Sequence, residues 1–170
     1  VSTTTVSIAG NDTLYAQWSI ENYCIVFTSN GGTAVFNVCA DYGAAISEPS
    51  NPTKTGYTFE GWYSDSGLTT TFAWPGTMPD YGANNATKTV YAKWGIEDYT
   101  YNFIENGGSA VTNINENYGT SLTSYSTTTT RTGYTFDSWY ENSNLTTAWT
   151  LPATMPDLGA DGTVKNIYAG

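Results

Sequence analysis

Histidine is absent from the 170 residues, and charge is scarce: 12% of residues are charged, 15 of them acidic and 5 basic. Without histidine a Ser-His-Asp triad cannot be built, and the commonest general base and most zinc ligand sets are missing too. The shortage of Lys and Arg leaves a net charge of −10, a surface that repels nucleic-acid phosphates and anionic lipid. Nucleic acid is therefore not an expected partner. No run of about 18 apolar residues occurs, so no membrane insertion is expected. Phosphate-binding loops and dinucleotide fingerprints are missing as well, and no cofactor is expected. The helix formers Glu, Lys, Leu and Arg are sparse. The chain starts at Val1 without Met or signal peptide, and so reads as a processed or excised piece.

What is abundant is aromatic: 15% of the chain, with 14 Tyr and 6 Trp. Together with many Thr, Val and Ile this favours half-buried strands. The organisation follows from an internal repeat. Ile20-Glu21-Asn22-Tyr23 returns as Ile96-Glu97-Asp98-Tyr99, Asn30-Gly31-Gly32 as Asn106-Gly107-Gly108, and Tyr42-Gly43 as Tyr118-Gly119, all at an offset of 76. One inserted residue then raises the offset to 77. Thr55-Gly56-Tyr57-Thr58-Phe59 matches Thr132-Gly133-Tyr134-Thr135-Phe136, and Thr77-Met78-Pro79-Asp80 matches Thr154-Met155-Pro156-Asp157. Leu14-Tyr15-Ala16-Gln17-Trp18 lies 76 before Val90-Tyr91-Ala92-Lys93-Trp94. The chain is thus expected to hold residues 1–18 as the last strand of a preceding repeat, a first repeat over 19–95 and a second over 96–170. Almost no linker separates them, so consecutive repeats should be stiffly coupled.

Within the first repeat, Tyr23, Ile25 and Phe27 alternate with Cys24, Val26 and Thr28, and Val35 to Ala40 follows a Gly-Gly pair. This reads as a β-hairpin. A two-residue turn at Gly31-Gly32 sets Cys24 opposite Cys39, within disulfide reach. The alternative is two separate buried thiols. The second copy carries Thr100 and Asn115 at these places, so the repeat does not require the bond. The face bearing Tyr23, Ile25 and Phe27, kept aromatic as Tyr99, Tyr101 and Phe103, is the expected core. A short helix could start at Ala44, limited by Pro49 and Pro52. Tyr57–Tyr63, Leu68–Trp74 and Thr87–Trp94 are the further strand candidates, giving about four strands and at most one short helix per repeat.

The string Gly56-Tyr57-Thr58-Phe59-Glu60-Gly61-Trp62-Tyr63, then Thr77-Met78-Pro79, then Val90-Tyr91-Ala92-Lys93-Trp94, resembles the Listeria–Bacteroides repeat, the B-repeat type of internalin-like surface proteins. The likeness covers the whole chain, twice plus the tail. It implies a β-rich α+β fold of tandem β-grasp, ubiquitin- or SUMO-like modules. It also implies display on secreted or wall-anchored surface proteins, as spacers, adhesion modules or modulators of host-receptor contact, and no enzymatic activity. Departures are Ser138 in place of Gly61, Thr127-Thr128 in place of Asn51-Pro52, and an end at Tyr168-Ala169-Gly170 without the closing Trp.

Chemistry finds few footholds. The acids shared by the two copies are few, Glu21/Glu97, Glu60/Asp137 and Asp80/Asp157, and a catalytic carboxylate pair would rarely recur in every tandem repeat. Asp157 to Gly162, and Asp80 with Asn84-Asn85, offer oxygen ligands for calcium, but match no calcium loop, and a solvated turn with Asp capping backbone N–H groups reads better. Trp62, Trp74, Trp139 and Trp149 could stack on sugars, yet the recurrence of Trp62 as Trp139 favours packing in the core or between repeats. Trp18 and Trp94, which close their repeats, are the candidates for packing between repeats. Asn11, Asn85 and Asn144 head N-glycosylation sequons. Lys54, Lys88, Lys93 and Lys165 could supply an isopeptide bond, without a specific pattern. The expectation is an extracellular, cell-surface or secreted repeat protein without catalytic residues or metal, presenting or binding a protein or glycan. The alternative is a subunit of an extracellular fibre or sheath that binds copies of itself, with Thr13–Trp18 donating a strand or a Trp anchor.

Overall fold

The structure, a computed structural model, describes residues 15–170. Asn11 and most of the 1–18 tail lie outside the described residues. Nine strands follow one another: β1 (Asn22–Thr28), β2 (Val38–Asp41), β3 (Tyr57–Tyr63), β4 (Thr87–Ile96), β5 (Asp98–Ile104), β6 (Ile114–Asn117), β7 (Trp139–Tyr140), β8 (Ala148–Trp149) and β9 (Thr163–Ala169). They form two mixed sheets, β2-β1-β4-β3 in the first repeat and β6-β5-β9-β7-β8 in the second. In each sheet the first and last long strands, β1 with β4 and β5 with β9, pair in parallel at the centre. The remaining pairs are antiparallel.

No helix occurs among the described residues, which overturns the expected β-rich α+β, β-grasp fold class: the architecture is all-β. The reason lies in the segment from Gly43 to Ile46, where a helix could have started. Its backbone is committed to Gly76–Met78: Gly43 N–H donates to Met78 O, Met78 N–H to Ala44 O and Ile46 N–H to Gly76 O, all at 2.9 Å. The second repeat repeats the arrangement between Gly119–Leu122 and Ala153–Met155. A helix would break these bonds and strand their donors in a half-buried place.

Alternation along β1 puts Tyr23 and Ile25 into the core with Trp62, Met78, Val90 and Ala92. In the second repeat the expected aromatic face of Tyr99, Tyr101 and Phe103 is buried with Ile114, Leu122, Trp139, Trp149, Met155 and Ile167. Edge-to-face rings knit these cores, as at Phe27–Trp62 (4.8 Å) and Phe103–Trp139 (5.0 Å). The two repeats differ locally at this tryptophan. Trp139 Nε1 donates to Thr127 O at 2.7 Å, whereas the equivalent Trp62 Nε1 is buried without a partner.

Cys24 faces Cys39 in the β1·β2 ladder and the two are bonded. The turn differs from the expected one. Asn30 and Gly31 take positive φ (49° and 88°), and Gly32 N–H closes onto Ser29 O, so Asn30-Gly31 are the central residues of the turn. The chain then leaves β1, with Thr33 N–H donating to Thr53 O, and rejoins it at Val38. The second repeat fills the position of the disulfide with a hydrogen bond from Asn115 Nδ2 to Thr100 Oγ1 at 2.7 Å. Replacing both Cys24 and Cys39 by Ser is expected to lower the stability of the first repeat by about 3 kcal/mol, the chain-entropy value for a loop of about 15 residues. The sheet should persist. Urea unfolding with and without reductant reads the difference, and an unchanged midpoint would refute it.

Candidate functional site

The two sheets meet at a single residue. Ile96 ends β4 and Asp98 begins β5, leaving Glu97 alone between them. Its N–H donates to Gly56 O at 3.0 Å, and its carbonyl accepts Tyr118 N–H at 2.8 Å. Its carboxylate divides in the same way: Oε1 accepts the Thr58 hydroxyl at 3.0 Å and Oε2 accepts the Tyr99 hydroxyl at 2.5 Å. Two of these bonds reach back to the first repeat and two reach forward into the second. Charge-assisted bonds of this kind are the stronger ones, so the linker is held on both sides.

Side chains close the joint around it. Gly56 sits under the Tyr118 ring at φ +73°, and a Cβ there would lie 2.1 Å from the ring; only glycine meets both demands. The Tyr57 and Tyr118 rings meet edge to face at 6.1 Å. Lys54 lies 4.0 Å above the Tyr57 ring. A pocket between the repeats is lined by Lys54, Tyr57, Trp94 and Glu97 from one side and by Asp157 and Gly159 from the other.

The buried Tyr99 hydroxyl anchors the forward half. Besides Glu97 it has Asp157 Oδ1 and Gly159 O at 3.1 Å. Burial first, then its bonds to Glu97 and Asp157, raise its pKa well above the ordinary tyrosine value. In the first repeat, Tyr23 has Glu21, Asp80 Oδ1 and Gly82 O in the same places. There the bond to Glu21 leads, followed by burial and Asp80, in raising its value.

The residues singled out from sequence are placed as follows. Trp94 covers Gly32 and donates from Nε1 to Ser29 O at 2.9 Å, while also lining the pocket at the joint. Trp18 is 88% exposed. Asn85 and Asn144 are exposed. Trp62, Trp139 and Trp149 are buried and Trp74 packs half-buried against the first core. The oxygens considered for calcium are spent on backbone: Asp157 Oδ1 accepts Gly159 N–H, Asp80 Oδ1 accepts Gly82 N–H, Asp161 accepts Asp98 N–H and Asn84 accepts Asn22 N–H. Among the described residues no three His, Cys, Asp or Glu side chains group to hold a metal. Lys93 and Lys165 pair with Glu60 and Glu141, and Lys54 and Lys88 donate to the carbonyls of Asn30 and Ser64. Sequence reasoning noticed Glu97 only as an acid shared with Glu21. It missed Gly56 and Tyr118 as partners across the joint. Their recurrence as Gly133 and Tyr42 was the available signal.

Two measurements probe the joint. Gly56→Ala should cost more stability than Gly133→Ala. Both glycines have positive φ, but an added Cβ at Gly133 meets nothing within 4 Å. The conformational cost common to both is about 1–2 kcal/mol, and the excess at Gly56, read by thermal melting, measures the contact with Tyr118. Equal losses would refute a tight joint. Alkaline pH is the second. The folded-state value of Tyr99 lies above the unfolded value of about 10, so its stabilisation is complete below that pH and is lost as pH rises through the folded value. Tyr99→Phe should therefore flatten the fall in stability above about pH 10 in a denaturant titration, and an unchanged slope would count against it.

Comparison with known proteins follows the same division. A family profile described as the Listeria-Bacteroides repeat domain matches residues 23–93 and 99–159. A protein named Gly-rich membrane protein from Evansella cellulosilytica is 43% identical over 139 residues, covering 81% of this chain and 15% of that protein. A second membrane protein of the same organism is 41% identical over 81% of the chain and 20% of its own length. Internalin H of Listeria monocytogenes is 33% identical over 86% of the chain and 24% of its own length. The chain spans about a quarter or less of each of these relatives. With two successive matches that take up most of its length, the chain belongs to the Listeria-Bacteroides repeat family.

Proposed function

We propose that this chain is part of a non-enzymatic array of repeats on the outside of a bacterial cell, holding what it presents at a set distance and orientation. The observation that carries the reading is the joint. A one-residue linker whose N–H, carbonyl and both carboxylate oxygens are all bonded leaves little freedom between repeats, the opposite of a flexible linker. The names of the relatives, two membrane proteins and an internalin, support a place at the cell surface. The Cys24–Cys39 bond suits an oxidising exterior. Weak contact of each repeat with a surface protein or glycan would gain strength by repetition. Sugar stacking on Trp62, Trp139 or Trp149 is disfavoured by their burial.

Spin labels on Ser66→Cys and Ser124→Cys, both exposed and on different repeats, test the reading by pulsed electron resonance. A narrow distance distribution is expected. Glu97→Ala, which removes the carboxylate bonds to Thr58 and Tyr99, should broaden it while each repeat stays folded. A wild-type distribution as broad as that of a Gly/Ser linker would overturn the spacer reading.

A further inference from the structure

The pocket at the joint has two unlike walls. Lys54, Tyr57 and Trp94 come from the first repeat, Asp157 and Gly159 from the second, and Glu97 of the linker lies between them. It is an open cleft of about 380 Å³, within the range of small-molecule sites. The chain itself supplies both walls, so neither is bare for want of a neighbouring repeat.

The polar groups of the cleft are short of partners. Lys54 stands 4.0 Å above the Tyr57 ring and 5.8 Å from the Trp94 ring. Its ammonium donates at 3.4 Å to Asn30 O, and an ammonium has two further protons to give. Asp157 makes its side-chain bonds through Oδ1, and Oδ2 has no partner among the described residues. The ion pairs among the described residues are Lys93–Glu60 and Lys165–Glu141. Lys54 therefore pairs with neither Glu97 nor Asp157, although all three line one cleft. Opposite charges attract over this range. The cleft keeps them out of contact and leaves room for a guest that accepts from one side and donates to the other.

The walls select the class of guest. It must offer an acceptor to Lys54, a donor to Asp157 and an apolar face to Tyr57 and Trp94, both half-buried. A sugar ring does all of this, since each hydroxyl both donates and accepts and the ring's C–H face packs on aromatic carbon. A cationic guest would meet Lys54. An anionic one would meet Glu97, Asp157 and the net charge of −10, so a neutral guest fits best. Both walls are written into both repeats: Lys54 and Tyr57 return as Arg131 and Tyr134, while Glu97, Asp157 and Gly159 answer to Glu21, Asp80 and Gly82. An array would repeat the cleft at each joint, and weak single sites would add by avidity.

We propose that the cleft between the repeats binds one neutral pyranose residue of a glycan. Lys54 donates to one hydroxyl, Asp157 Oδ2 accepts from another, and Tyr57 and Trp94 pack against the ring. The site rests on the stiff joint of the spacer reading, because a loose joint would not hold the two walls at a fixed gap.

The test is a titration of the isotopically labelled full chain with the methyl glycosides of glucose, galactose, mannose and N-acetylglucosamine at millimolar concentration. At least one glycoside is expected to shift the Lys54–Tyr57 amides, the Asp157–Gly159 amides and the Trp94 indole N–H together, with an affinity indifferent to salt. Lys54→Ala should weaken that binding about tenfold, the loss of one hydrogen bond from a charged group. No shift with any of the four glycosides overturns the proposal, as do shifts confined to one wall or equal binding by Lys54→Ala. The wild-type map decides by itself should that variant not fold. A narrow spin-label distance distribution without these shifts refutes the sugar site alone, whereas a broad distribution refutes the spacer reading.

Discussion

A tyrosine hydroxyl cannot be buried without partners, and in both repeats that requirement organises the chain. Tyr23 and Tyr99 are among the largest fully buried side chains. The hydroxyl of each gathers a glutamate from just before its own strand and an aspartate and a glycine carbonyl from a loop about 60 residues on. One polar atom thereby fixes where the strand begins, where the Met-Pro-Asp loop returns, and how the acid ahead of the strand is aimed. Since that acid is also the linker residue, core packing and repeat-to-repeat geometry are set by the same group. The repeat can lose its disulfide, as the second copy has, but both copies keep this cluster.

The parallel placing of first and last strands then decides how an array grows. The chain enters each sheet at one end of the central pair and leaves at the opposite end, so the following sheet begins where its predecessor stops. A hairpin-terminated sheet would return the chain to its starting edge. With parallel central strands, a linker of one residue is enough, and the same contact can be made again at each step.

Much of this was legible in the sequence, and the reasons differ by element. The strands β1, β3 and β4 follow from alternation at Tyr23–Phe27, Tyr57–Tyr63 and Thr87–Trp94. The opposition of Cys24 and Cys39 follows from their spacing about a Gly-rich turn, although the turn itself is centred on Asn30-Gly31. The helix expected from the β-grasp likeness fails because backbone pairing of Gly43–Ile46 with Gly76–Met78 joins residues too far apart for local pattern to register. The parallel pairing of β1 with β4 is invisible for the same reason: hydrophobic period shows which face is buried, not which strand lies alongside. Leu68–Trp74 read as a strand, but in the first repeat only an isolated bridge from Thr71 to Tyr63 forms. At the joint, Glu97 was visible as a recurring acid, but its four bonds depend on Gly56, Thr58 and Tyr118 arriving from remote parts of the chain.

The parallel central pair has a mechanical consequence. When the two ends of a repeat are drawn apart, β1 is pulled from its first residue and β4 from its last, in opposite directions along neighbouring strands. The five residue pairs from Cys24 and Thr87 to Thr28 and Tyr91 then share the load in shear, and must yield together instead of opening one by one like a zip. The Cys24–Cys39 bond ties β1 to its other neighbour and keeps the loaded strand from peeling away on that side. A protein built from such units would transmit tension between what it holds and what it is fixed to, with each repeat acting as a stiff link.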